Sequence, residues 1–190
     1  MNEHRQSPVD IDSTTFRQIG YSLVNDIAAF IESLSNRKVT PGETPKEIRE
    51  ILGYEDVPND GVAIDAVLQQ AKELLFNHSL FNGHPKFWGY ITSSPAPGGI
   101  LADFLASAIN ANVGAHILSP MATEMERQTI SWIAQLIGLP KSYGGIFVSG
   151  GNMANFTGFL VARKTKTTWD ISKNGHGHKR LLVYCSKGTH

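Results

Sequence analysis

Apolar residues Phe16, Ile19, Leu23, Ile27, Phe30, Ile31 and Leu34 recur at three- and four-residue spacing, the period of one face of an α-helix. Ser13 precedes them as an N-cap, so the pattern predicts a long amphipathic helix. After the extended "RKVTP", Thr44, Pro45 and Glu47 combine a capping hydroxyl, a proline at the first helical position and an acid able to reach back. That is a capping box, and it predicts a short helix ending near Leu52 at Gly53. "AIDAVLQQAKELLFN" predicts a further helix, and "NHSLFNGHPKFWGYITSSPAPGG" then breaks periodicity for more than twenty residues. A stretch of that length is functional or marks a domain junction.

The pattern then changes. "ILADFLASAINANVGA" is small and apolar nearly all round, as in a helix buried on most of its surface. Ser119-Pro120 opens a helix carrying Trp132, Ile133, Leu136 and Ile137, which Gly138 and Pro140 end. A strand at 146–148, a glycine turn, a helix from Asn152 to Lys166, the polar "TKTTWDISKNGHGHK" and a strand at 180–185 follow. This order predicts a β-α-β unit, hence an α/β chain with a parallel sheet and a right-handed crossover. Neither an internal repeat nor a low-complexity tract interrupts it.

Composition narrows the classes of partner. Lys plus Arg equals Asp plus Glu at 17 each, so no net field draws in nucleic acid or an anionic membrane. With 41% hydrophobic and 18% charged residues, the chain reads as a globular protein that takes a small molecule or a protein partner. Cys185 is the one cysteine and has no internal disulfide partner. "MNEHRQSPVDID" lacks the basic and apolar blocks of a secretory signal, and no run reaches the roughly 20 apolar residues of a membrane helix. The expected location is the cytoplasm.

The candidate chemistry centres on "GGIFVSGGNMANFTGFLVAR". A strand that ends in a glycine turn and starts a helix aims unpaired N–H groups and the positive end of the helix dipole at one point, a place for phosphate. In open α/β sheets, ligands sit beyond the carboxyl ends of the strands. The turn and "SKGTH", after the second predicted strand, both lie at that edge, so Gly151, Asn152 and His190 are candidates for one pocket. The turn lacks G-x-G-x-x-G and G-K-[ST], excluding the dinucleotide and P-loop fingerprints. It also lacks G-x-S-x-G, which argues against Ser149 as a hydrolase nucleophile. A tight turn packing helix on strand remains the plain alternative. His176 and His178 lack a Cys or carboxylate ligand at useful spacing, so no metal site is expected and a solvated loop accounts for them. His190 by itself reads equally as a surface histidine, and Trp88 and Tyr90 as aromatic packing under the long loop.

"HPKFWGYITSSPAPGGILADFLASAINANVG", "SPMATEMERQTISWIAQLIGLP", "GGIFVSGGNMANFTGFLVAR" and "LLVYCSKGTH", in that order, resemble the pyridoxal-phosphate-dependent group II amino acid decarboxylases. That family includes the aromatic amino acid, tyrosine, histidine and glutamate decarboxylases, and the resemblance runs from Phe16 to His190. It implies an aspartate-aminotransferase-like fold (fold type I): an N-terminal helical segment, residues 1–95, wrapping the partner of a homodimer, then the first part of the cofactor domain, residues 96–190. It implies that Gly151 and Asn152 hold the phosphate of pyridoxal 5'-phosphate. His190 is expected to stack on the pyridine ring, close to the substrate carboxylate. Tyr90, Thr92 and Ser93 are expected on the substrate side of the pocket.

The implied reaction releases carbon dioxide from an amino acid and leaves an amine. The family's Schiff-base lysine, in a His-Lys pair, and the aspartate opposite the pyridine nitrogen are not matched by residues of this chain. The chain is therefore expected to be the N-terminal portion of a longer enzyme and to be inactive alone. Sphingosine phosphate lyases and aminotransferases share the cofactor scaffold and stand as the enzymatic alternative. A truncated, non-catalytic dimerisation module is the other.

Overall fold

The structure, a computed structural model, describes residues 10–53, 56–177 and 179–189. Helix α1, Ser13–Ser33, begins one residue earlier in its capping than the pattern suggests: Asp12, not Ser13, is the N-cap, its carboxylate accepting the N–H groups of Thr14 and Thr15. A single 3-10 turn, Leu34–Asn36, continues α1. Helix α2, Pro45–Leu52, carries the full capping box. The Glu47 N–H donates to the Thr44 hydroxyl at 3.3 Å, and the Thr44 N–H donates back to the Glu47 carboxylate at 2.7 Å. The helix ends at Gly53, whose φ of +71° suits glycine.

Helix α3, Ile64–Asn77, packs on α1 through aromatic rings. Phe30 stacks on Phe76 at 4.3 Å between centroids, and Phe81 meets Phe30 edge-on at 5.3 Å. The Arg37 guanidinium lies 5.0 Å from the Phe30 centroid and donates to the Phe76 carbonyl at 2.6 Å, satisfying an acceptor in the last turn of α3. Lys72 pairs with Asp26 across the same two helices. Beneath them His84, only 4% exposed, accepts the Lys86 N–H at Nδ1 and places Nε2 3.0 Å from the Arg37 carbonyl, fixing Nε2 as its protonated nitrogen.

Helices α4, Pro97–Ile109, α5, Pro120–Leu136, and α6, Gly151–Lys166, follow, with the single turn α7, Ile171–Asn174, capped by Asp170. The residues cluster into two units that divide after Leu105, within α4. Asn110, at φ +47°, ends α4 and removes "ANVGA" from the expected helix. Helix α7 falls in the polar stretch read as irregular, where an Asx cap supports a turn without apolar periodicity.

Two expectations change. The α4 residues Leu101, Phe104, Leu105 and Ile109 are each more than half exposed, so this chain's own residues do not cover the helix read as buried. Residues 146–148 and 180–185, expected as strands, form no strand, and no strand occurs among the described residues. The physical reason is that a parallel strand is defined by a hydrogen-bonded neighbour. Consecutive strands need not be neighbours in a sheet, and these two segments do not pair with each other. An apolar run supplies the composition of a strand without supplying its partner.

Candidate cofactor-phosphate site

The sequence around Val148 turns sharply because Gly150 adopts φ +89° and ψ 171°, a combination closed to side-chain-bearing residues. Its N–H donates to the Val148 carbonyl at 3.0 Å, and its carbonyl accepts the Ala154 N–H at 3.1 Å, so Gly150 both closes the turn and caps α6. No side chain caps the first turn of α6. Its leading N–H groups are thus left for another acceptor. The first turn contains no acid, while Arg163, Lys164 and Lys166 stand in the last turn, complementing the helix dipole at its negative end.

The second glycine has a different cause. Gly151 has no positive φ, and a Cβ built there would meet no protein atom within 4 Å. Neither backbone conformation nor packing within the protein requires glycine at 151. The space above it does, if an anion is to approach the N–H groups. An open depression of about 440 Å³ lies there, lined by Ser149, Gly150, Gly151, Asn152 and Asn155. A bare helix N-terminus, a cradle that a side chain would narrow, and two amide side chains able to donate form a donor set that fits a phosphate group.

Gly151 and Asn152, predicted together, thus line one depression. Asn155 was missed, although it lies one turn beyond them on a helix whose start was legible. Ser149, set aside as a nucleophile, lines the same depression and can offer its hydroxyl to an anion. His190 and His178 lie outside the described residues. Among the described residues no group of three metal-ligating side chains forms, and no helix is long and apolar enough to cross a membrane.

Tyr90, Thr92 and Ser93 belong to the loop between α3 and α4, in the first unit. The loop's two ends meet: a Cβ on Gly83 would stand 3.2 Å from Pro95 and 3.3 Å from Leu34. Beyond that closed base the tip of the loop is open to solvent, Trp88 at 91% and Tyr90 at 85% exposed. Tyr90 holds φ +59°, a left-handed conformation that costs a non-glycine residue on the order of 1 kcal/mol. Strain and an exposed aromatic tip are signals that the apolar pattern does not carry.

A family model described as the pyridoxal-dependent decarboxylase conserved domain matches residues 45–190. The chain belongs to the pyridoxal-dependent decarboxylase family. It is 32% identical to an aromatic-L-amino-acid decarboxylase of Bacillus atrophaeus over 96% of this chain and 36% of that protein. It is 26% identical to an L-2,4-diaminobutyrate decarboxylase of Acinetobacter baumannii, over 99% and 39% respectively. The crystal structure of Rhodiola rosea 4-hydroxyphenylacetaldehyde synthase superposes with a TM-score of 0.78 at 24% identity, covering 95% of this chain and 39% of that one. This likeness gives the fold, that of the fold type I pyridoxal-phosphate enzymes. This chain spans a little over a third of the length of these relatives.

Proposed function

We propose that this chain supplies the phosphate-binding turn of a pyridoxal-phosphate-dependent carboxy-lyase that converts an amino acid to an amine and carbon dioxide. The observation that carries the reading is Gly151, a glycine that neither φ nor protein packing requires, at the uncapped start of α6 in a pyridoxal-dependent decarboxylase chain. The cofactor is pyridoxal 5'-phosphate. When bound, it supplies an electron sink for the pair left as carbon dioxide departs.

The chain's own residues bind and orient. The N–H groups at the start of α6 and the Asn152 amide hold the phosphate, while the glycine at 151 keeps the approach clear. Asn155 stands at the edge of the same depression. By resemblance, His190 takes the face of the pyridine ring, where it would hydrogen-bond the substrate carboxylate or supply a proton to the carbon that loses carbon dioxide. Tyr90, Thr92 and Ser93 are assigned to the substrate side, and their exposure leaves them free to meet it. A homodimer is part of the reading, supported by the uncovered apolar face of α4. A cytoplasmic location is also part of it, supported by Cys185 as an exposed free thiol.

The test uses the complete enzyme that carries this sequence, reconstituted with pyridoxal phosphate and supplied in turn with aromatic L-amino acids, L-2,4-diaminobutyrate and L-glutamate. Amine and carbon dioxide in equal amounts are expected from one of these classes. An aldehyde product would replace the reading with the synthase chemistry named for the Rhodiola rosea relative, and a keto acid would replace it with aminotransfer. No cofactor absorbance band and no turnover would leave the non-catalytic dimerisation module.

A further inference from the structure

The pair of acids in "TEMER" separates into two jobs. Glu124 Oε1 lies 2.9 Å from His116 Nε2 and accepts from Arg127 at 2.7 Å, exposed pairs that contribute little. Glu126 reaches elsewhere. Its Oε1 accepts the backbone N–H of Phe147 at 2.8 Å, across 21 residues of sequence.

One turn further along α5, the Ile130 Cγ2 methyl stands 3.1 Å from where a Cβ on Gly145 would be. Positions 126 and 130 share a face of the helix. Residues 145 and 147 both belong to the run that leads into the glycine turn. Helix α5 therefore engages two positions of the run leading into the glycine turn, one by a hydrogen bond to a backbone N–H and one by close packing. Phe147 is the residue before Val148, whose carbonyl accepts the Gly150 N–H. Whatever fixes Phe147 sets where Gly150 caps α6.

We propose that Glu126 is a positioning residue for the cofactor phosphate, acting through the Phe147 N–H to hold the glycine turn at the height where the leading N–H groups of α6 converge. The proposal rests on the reading of that turn as the phosphate site. It involves no contact between Glu126 and the cofactor. Ile130 is the second half of the same support: a side chain at 145 displaces the lead-in, and glycine there permits the approach.

The experiment titrates pyridoxal phosphate into the complete enzyme that carries this sequence, freed of cofactor, and follows the bound-cofactor absorbance for Kd, with kcat measured at saturating cofactor. Glu126→Ala is expected to raise Kd about tenfold, the size of one lost charge-assisted hydrogen bond, with kcat within about threefold. Glu126→Gln keeps an acceptor oxygen at the same reach and is expected to bind within about threefold of the parent. A Glu126→Ala protein that binds like the parent overturns the proposal, and so does a Glu126→Gln protein as weak as the alanine variant.

Should Glu126→Ala fail to fold, Gly145→Ala tests the same support. It should weaken binding, and Ile130→Ala added to it should restore binding by removing the methyl in the way. Unchanged binding in Gly145→Ala then counts against the proposal. Asn152→Asp is run beside these variants. If it leaves Kd unaltered, the turn is not the phosphate site and the reading beneath the proposal fails. If it weakens binding while Glu126→Ala does not, only the proposal fails.

Discussion

Gly150 and Gly151 are adjacent and chemically identical, yet only Gly150 is required by its own backbone, and this separates two experiments. At Gly150 the φ of +89° makes any side chain strained, so Gly150→Ala should distort the cap and cost stability on the order of 1 kcal/mol. At Gly151 a Cβ enters open space, so Gly151→Val should leave the melting temperature of the cofactor-free protein within about 2 °C of the parent while weakening pyridoxal phosphate binding. A cofactor affinity unchanged by Val at 151 would mean that nothing approaches that backbone. His190 and Asn152 divide along another line. In the complete enzyme, His190→Ala should lower turnover roughly 100-fold, the contribution usual for a positioned acid or base, with the cofactor band retained. Asn152→Asp puts a negative charge beside the phosphate, so affinity should fall and activity should return in part with excess cofactor. Near-normal turnover in His190→Ala would return that residue to an ordinary surface histidine.

At the scale of the element, α2 offers the plainest test because its N-terminus is held by one reciprocal box. The Thr44 hydroxyl, followed by the Thr44 N–H, holds the Glu47 carboxyl below the ordinary carboxylate range. A group whose pKa is depressed in the folded protein adds stability above its unfolded value and loses it as pH falls through the folded value. Amide exchange in α2, corrected for intrinsic rate, should therefore accelerate on acidification below the ordinary carboxylate range, and Glu47→Gln should abolish that dependence. Thr44→Ala should speed exchange about fivefold at neutral pH, corresponding to roughly 1 kcal/mol for a lost cap. The box was legible from four residues because every partner lies within one turn. The N-cap of α1 was read one residue late, at Ser13, since Asp12 and Ser13 are both good caps and only the backbone places Asp12 in the extended conformation a cap needs.

For the whole molecule the decisive quantity is surface. Apolar surface is in excess, with Ile91, Ile117 and Leu136 each more than four-fifths exposed. Among the described residues the buried apolar positions are Leu34, Phe81, Ala134 and Ile171, too few to cover the faces of the helices described. This excess predicts that the chain on its own associates. Its weight-average mass in sedimentation should rise with concentration through the tens of micromolar, and Leu101→Lys with Ile109→Lys should reduce the rise by charging the open face of α4. A monomer across that range, melting cooperatively, would show that the exposed faces need no partner.

Local chemistry determined a great deal here. The bounds of α2, α3 and α5 and the start of α6 follow from caps, prolines and 3.6-residue periodicity, all decided within a few residues of where they act. The glycine turn and the uncapped start of α6 were legible for the same reason, since a strand-like run, two glycines and a helix suffice to aim N–H groups at one point. Contacts between segments distant in sequence were decided only by the tertiary structure. Among them are the Phe147 N–H on Glu126, Gly83 against Pro95, and the absence of pairing between 146–148 and 180–185 that left two apolar runs without strands. Periodicity states which face of an element is apolar, whereas what that face meets depends on chain segments whose separation in sequence no local rule spans.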